Sequence, residues 1–447
     1  MMRFPVIAAL LAAALVVPLP QAAAQASWRG EPGKHVRAEL REEIGERAGK
    51  TVRGFYTARD NAPMWLNKYA RPSGAATLLL YRMQTAQFDG VDPDKLGIDK
   101  LVDLAERAQR GEIKDVARFE VALSDTFAEY VRAMRDGPRL PMIYGSPALE
   151  PVIPAPRSVL ETAAQAPSLE SYVDGMEWMH PLYAPLRKAM QDPAYSETQR
   201  RQIWMNMARL RAIPAMPMGR YVLVDTASAH LWMYEGGEPV DDMRVVVGND
   251  AGQTPIMAGF LSQAVENPYW LVPDDIVQNE FADYILEYGP GWVADRRYEV
   301  LDSWEPDAEV LDPKTVDWQG VRDGTVSVHM RQLPGGSNFM GRVKFEFPNP
   351  QGIYLHDTPA KDLLKKTDRQ LSHGCVRLED AATMYRWLMG TPIPAAAKNA
   401  PPEQVVPLPE PVPIYITYLT VQPKGDNLVF LDDPYARDAR VRIAAAD

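Results

Sequence analysis

A single cysteine, Cys375, occurs in 447 residues, so no disulfide can form within the chain. Positive charge is also scarce. Against 59 Asp and Glu stand 48 Lys and Arg, a formal charge of -11, which argues against nucleic acid as a partner, because such a face needs a basic excess to neutralise phosphates. The apolar run from Phe4 to about Val17 is too short to cross a bilayer, which takes roughly 20 residues. It follows Arg3 and precedes the small-residue stretch ending Ala24-Gln25-Ala26, so residues 1–26 read as a secretory signal peptide cut after Ala26. No stable membrane insertion is expected once it is removed. An exported chain normally uses cysteines in pairs. Cys375 is therefore an intermolecular link, an inert buried thiol or a reactive nucleophile.

The length and a 46% hydrophobic content suit two or three domains of about 150 residues each. Residues 27–215 read as a helical domain: Phe119, Leu123, Phe127, Tyr130 and Met134 recur at three- and four-residue steps and make one apolar face. The aromatics of Phe55 to Asn67 are expected in the core. Residues 141–157 carry five prolines and read as a linking loop, after which helical pattern resumes until Pro214. From Tyr221 the period changes to that of strands, and 216–440 reads as a mostly antiparallel β domain, a sheet or sandwich. Val326 to Gln332, Arg342 to Phe347 and Gly352 to His356 continue it. The irregular stretch of about 274–323 is expected to leave the sheet as a helical insertion, and two last strands near the end follow a proline-rich connection. The fold class is α+β.

The stretch Tyr354 to Asp380 holds the chemistry. A thiol attacks a carbonyl as thiolate, so it needs a base or a positive neighbour, and donors for the oxyanion that forms. His356, at a strand end, could take the proton from Cys375. Gly374 lets the backbone pass close to a substrate, and the amides of Gly374 and Cys375 could face the developing charge. Arg377 and His373 flank the thiol, and the planar fork of Arg377 suits a carboxylate. An ordinary buried cysteine and a surface histidine remain open as readings. A zinc site from His356, His373 and Cys375 lacks a fourth partner and the usual paired spacing, so no metal or cofactor is expected.

"SHGCVRL" preceded by "HDTP" resembles the signature of the L,D-transpeptidases, the YkuD-type cysteine enzymes that remodel bacterial peptidoglycan. "VVVGNDAGQTP", "ENPYWLVP", "NFMGRVKFEFPN" and "PVPIYITYLT" are similar to the larger murein-transpeptidase subgroup, and "FYTARDNAPMW" and "DGVDP" to its helical scaffold. The resemblance implies Cys375 as nucleophile and His356 as general base. It implies the Gly374 and Cys375 amides, with Ser372 or His373 nearby, as the oxyanion hole. Tyr354, Arg377 and Trp270 would line the substrate site, and the 274–323 insertion would form a cap over the cleft. The implied activity is a 3→3 cross-link between peptide stems, made through a Cys thioester in the periplasm and blocked by carbapenem-type inhibitors. Water or a protein lysine as acceptor, giving an L,D-carboxypeptidase or a protein-to-wall attaching enzyme, and a non-catalytic wall scaffold are the alternatives. The subgroup's small peptidoglycan-binding module has no room between Pro193 and Arg201. Arg377 stands where smaller members have Asn.

Overall fold

The computed structural model describes residues 31–215, 219–305, 307–394, 400–425 and 427–441; the expected signal peptide, 1–26, lies outside them. The chain forms two compact units, one of Met1–Pro141 with Glu150–Met216 and Thr420–Asp447, the other of Met142–Leu149 with Pro217–Leu419. One is mainly helical and the other β-rich, which is the α+β class expected.

In the helical unit the 24-residue helix Ile113–Asp136 buries the expected face, Phe119, Leu123, Phe127, Tyr130 and Met134. Trp65 and Trp178 pack edge-on against Phe127, with ring centroids 5.4 and 5.3 Å away. The same helix buries Glu120, which accepts hydrogen bonds from the Tyr56 hydroxyl and the Met64 and Trp65 amides. Burial pushes this carboxyl up to about 7. The helix Glu197–Leu210 starts with a capping box between Ser196 and Gln199, which satisfies two amide donors at its first turn.

The hairpin Val421–Lys424 and Asn427–Phe430 lies in this unit, although strand propensity had grouped it with the β domain. The reason is polar. Asn206 donates to the Thr420 hydroxyl at 3.0 Å, Gln202 to the carbonyls of Thr420 and Leu431, and Arg209 pairs with Asp438. Amphipathic periodicity does not register such contacts.

The second unit is built on a ten-stranded sheet. Its strands are β1 (Ile143–Tyr144), β2 (Arg220–Asp225), β3 (His230–Glu235), β4 (Glu238–Gly248), β5 (Met257–Glu266), β10 (Val343–Glu346), β11 (Leu355–His356), β12 (Gln370–Ser372), β13 (Val376–Leu378) and β14 (Gln404–Thr417). The order runs β5-β10-β11-β13-β4-β3-β2-β14, and β14 pairs with β5 as well as β2, closing the ring. Closure removes the exposed edges that such strands would otherwise present. The sheet is mixed, since β2–β14, β11–β13, β4–β12 and β1–β5 are parallel. Part of the expected proline-rich loop is thus a short strand: Ile143 and Tyr144 pair with Met257 and Ala258, between prolines that limit its length.

The insertion is larger and more β-rich than its pattern suggested. It runs from β6 (Trp270–Val272) through β7 (Tyr298–Leu301) and β8 (Val310–Leu311) to β9 (His329–Gln332), a separate four-stranded sheet in the order β6-β9-β7-β8. The strand within Val326 to Gln332, expected in the main sheet, pairs here, Trp270 opposite Gln332 and Val272 opposite Met330. Val272, Val300 and Met330 pack with Ile276, Phe281, Ile285, Trp292 and Trp318 into a core of the insertion's own. Asn338 ties its neck, donating to the carbonyls of Pro268, Gln332 and Leu333.

Candidate active site

The parallel pairing of β11 with β13 sets Leu355 beside Val376 and His356 beside Arg377, and the Val376 amide donates to the Tyr354 carbonyl at 3.1 Å. Side chains alternate along strands. Leu355, Val376 and Leu378 are fully buried, so Tyr354, His356, Cys375 and Arg377 share the opposite face. Lys344 of β10 stands opposite His356 and joins them.

The His356 ring is buried, with Nδ1 2.6 Å from the Asp357 carbonyl. That carbonyl can only accept, so Nδ1 carries the hydrogen and Nε2 is left with its lone pair. Desolvation, helped by the Arg377 and Lys344 charges, lowers the imidazole to about 3, so it is neutral and able to accept a proton. Asp357 is held in turn: its amide donates to the Val343 carbonyl at 2.9 Å and its carboxylate accepts from Lys361 and the Arg342 amide.

Cys375 is half-buried and forms no disulfide, and its thiol donates to the Gly352 carbonyl, Sγ to O 3.7 Å. Desolvation pushes its thiol up, against the pull of hydrogen bonds from the Tyr354 main-chain amide and phenol and of the Arg377 and Lys344 charges. Reciprocally, burial and the sulfur raise the Tyr354 phenol well above the ordinary range. The resting pair is therefore thiol and neutral imidazole. A thiolate at this position would be stabilised by the Tyr354 hydroxyl and amide and by the Arg377 and Lys344 charges.

The turn that carries Cys375 is clamped from both sides. Gly374 has φ +126°, and a Cβ there would come 3.1 Å from the Ile353 side chain; only glycine takes this conformation at no steric cost. Its carbonyl accepts from the buried Thr254 hydroxyl at 2.6 Å. Its amide donates to Ser372 Oγ at 3.2 Å, and that hydroxyl donates to the Cys375 carbonyl at 2.6 Å. The Gly374 amide is thus engaged within the turn. The Cys375 amide has no acceptor among the described residues.

Arg377 has neither a carboxylate partner nor a hydrogen-bond acceptor among the described residues, and its Nε is buried without one. It is therefore equipped to take a ligand carboxylate. Lys344 is already matched, by Glu346 at 2.9 Å and Glu403 at 3.3 Å. The His373 ring is half exposed, 3.9 Å from Glu280 of the insertion. Trp270 belongs to the insertion's aromatic cluster, 4.6 Å from Phe339 and 6.1 Å from Phe281. Sequence reasoning had not singled out Asp357, Lys344, Thr254 or Glu280. Asp357 acts through a main-chain carbonyl that no side-chain pattern reveals. Thr254, Lys344 and Asp357 all lie in stretches already noted for their resemblance, but their roles show only once their partners are placed.

Residues 219–402 match the L,D-transpeptidase catalytic domain, YkuD, and residues 50–190 match the Scaffold domain. A Haemophilus influenzae protein named "Putative L,D-transpeptidase" is 26% identical over 412 residues, which cover 87% of this chain and 78% of the relative. Among solved structures, an L,D-transpeptidase from Mycobacterium smegmatis is 14% identical with a TM-score of 0.23, covering 44% of this chain and 58% of that one. L,D-transpeptidase 3 from Mycobacterium tuberculosis, in complex with a faropenem-derived adduct, is 13% identical with a TM-score of 0.22, covering 44% and 60%. An L,D-transpeptidase in complex with imipenem is 12% identical with a TM-score of 0.23, covering 44% and 59%. The matched part is less than two thirds of each of these three solved chains, and such scores add nothing to the domain match. The chain carries an L,D-transpeptidase catalytic domain of the YkuD family, together with an N-terminal Scaffold domain.

Proposed function

We propose that this protein forms 3→3 cross-links between peptide stems of peptidoglycan through a Cys375 thioester, and that it does so in the periplasm. The observation that carries the reading is the β11–β13 register, with the Asp357 carbonyl fixing the His356 tautomer. His356 Nε2 takes the thiol proton while sulfur attacks the carbonyl between the third residue and the terminal D-Ala of a tetrapeptide stem. The oxyanion meets the Cys375 amide. The proton passes from the imidazole to the leaving nitrogen, the C–N bond breaks, and D-Ala departs. The side-chain amine of diaminopimelate on a second stem then adds to the thioester. Its proton goes to His356 and on to the sulfur as the C–S bond breaks.

A strained β-lactam carbonyl fits the same chemistry, so carbapenem-type inhibitors should acylate Cys375. Incubation with purified disaccharide tetrapeptides, followed by mass analysis of protein and products, tests the reading. An acyl adduct lost in Cys375→Ser and a cross-linked dimer are expected. Tripeptide without dimer would assign the acceptor to water, and no adduct with either stems or carbapenem would return the chain to a wall-binding scaffold.

A further inference from the structure

The insertion's first helical segment changes winding at Val277–Phe281, where the hydrogen bonds skip one residue further than in an α-helix. Such π-turns are frequent at functional positions. Here the turn keeps Val277 and Phe281 in the insertion's core and presents Glu280 outward. Among the described residues its one ion-pair partner is His373, Nε2 to Oε1 3.9 Å, and the two side chains are 48% and 49% exposed. His373 precedes Cys375 by two residues, at most about 7 Å of extended chain. A carboxylate from the insertion therefore stands beside the nucleophile's turn with no Lys or Arg neutralising it. The nearby Glu346 and Glu403 differ in being held by Lys344.

The insertion as a whole is acidic, with fourteen Asp and Glu against five Lys and Arg from Trp270 to Gln332. Such a field repels anions and draws in cations. Arg377, beside His356 in the β11–β13 register, has no carboxylate partner among the described residues. A free carboxylate and a free guanidinium in one site suit, by charge, an acceptor that carries both a primary ammonium and a carboxylate. They do not match water, and a lysine amine lacks the carboxylate. We propose that Glu280 is the residue that selects the acceptor: it holds the ammonium of the second stem at the mouth of the site, and so favours aminolysis of the thioester over hydrolysis.

This rests on the thioester reading above. The ammonium docks on Glu280 and gives up one proton to solvent as it leaves the carboxylate for the carbonyl. The free amine adds, its next proton passes to neutral His356 and on to the sulfur, and the C–N bond forms as the C–S bond breaks. Glu280 touches the acceptor and takes no part in acylation.

The test uses the full chain with purified disaccharide tetrapeptide as donor and acceptor. D-Ala release reads acylation, and the dimer-to-tripeptide ratio reads the acceptor. In Glu280→Gln, D-Ala release from donor should stay within about twofold of wild type, while the KM for acceptor rises and the dimer-to-tripeptide ratio falls by about three- to tenfold, the range for a charge-assisted contact at a half-exposed site. Glu280→Asp should recover part of the ratio. Added salt should lower the wild-type ratio towards that of the variant. An unchanged ratio in Glu280→Gln, or a fall in D-Ala release to match it, overturns the assignment. Failure of wild type to release D-Ala at all would instead remove the thioester reading itself.

Discussion

Replacing Tyr354 by Phe removes one hydroxyl from a ring that otherwise keeps its place, and the consequence follows from what that hydroxyl faces. The Tyr354 phenol and main-chain amide both lower the Cys375 thiol, while burial raises it. The same coupling appears from the other side, where the sulfur raises the phenol. A hydrogen bond to a charged group contributes about 1.5–3 kcal/mol, and one pKa unit corresponds to about 1.4 kcal/mol. The variant keeps the Tyr354 amide and the Arg377 and Lys344 charges, so the lower end applies: an upward shift of the thiol by about one unit. Alkylation by iodoacetamide, followed by intact mass across pH, reads it directly. Below the wild-type pKa the variant should react about tenfold more slowly, and at high pH the two should reach one plateau. Superimposable profiles would mean that the phenol does not bond the thiolate. A lowered plateau would mean that the ring itself has moved. Acylation by a carbapenem should follow the same displacement.

Cys375→Ala should abolish cross-linking and leave the thermal midpoint within a few degrees, since a small half-exposed side chain leaves little cavity; residual turnover within about tenfold would remove it as nucleophile. His356→Ala should lower the acylation rate by about 10²–10⁴, and an unchanged rate would move the base elsewhere. Between the ordinary histidine value of about 6.5 and its folded value of about 3, His356 refuses a proton that the unfolded chain accepts. Its contribution is thus present above pH 6.5 and lost as pH falls through that window. Thermal melting of wild type should steepen its decline there relative to His356→Gln, and parallel curves would refute the sign. Gly374→Ala should cost about 1–2 kcal/mol for its positive φ, read by denaturant unfolding, with a larger loss of acylation because the turn carries the nucleophile.

Cys375, His356 and Arg377 were legible because chemistry-bearing residue types stood in a dense, recognisable order. The faces they occupy were not, because the register of two short strands with nineteen residues between them is a long-range fact. The helix Ile113–Asp136 was plain from its period. β6 and β9, three and four residues long, are too short to show alternation, so the insertion's own sheet stayed hidden and its last strand was grouped with the main one. The polar contacts of Gln202, Asn206 and Arg209 decide where the C-terminal hairpin lies, and polar residues on a helix read as solvent-facing until their partners are seen. Glu280 left no trace in the sequence at all. It is one acid among many, and what distinguishes it is a change in helical winding.

The two-residue strand β11 lies flat against β13, and the site's integrity hangs on that one match. A slip of a single residue would turn Val376 and Leu378 outward and drive Cys375 and Arg377 into the hydrocarbon interior, because side chains alternate. No partly assembled version of the site is available. Before the ladder zips, the cysteine is an ordinary thiol with no base, no cation and no hydroxyl beside it. On the proposed reading the chain is therefore chemically quiet while it is being made or is unfolded, and would become an acyl-transfer reagent only in the step that also buries its core.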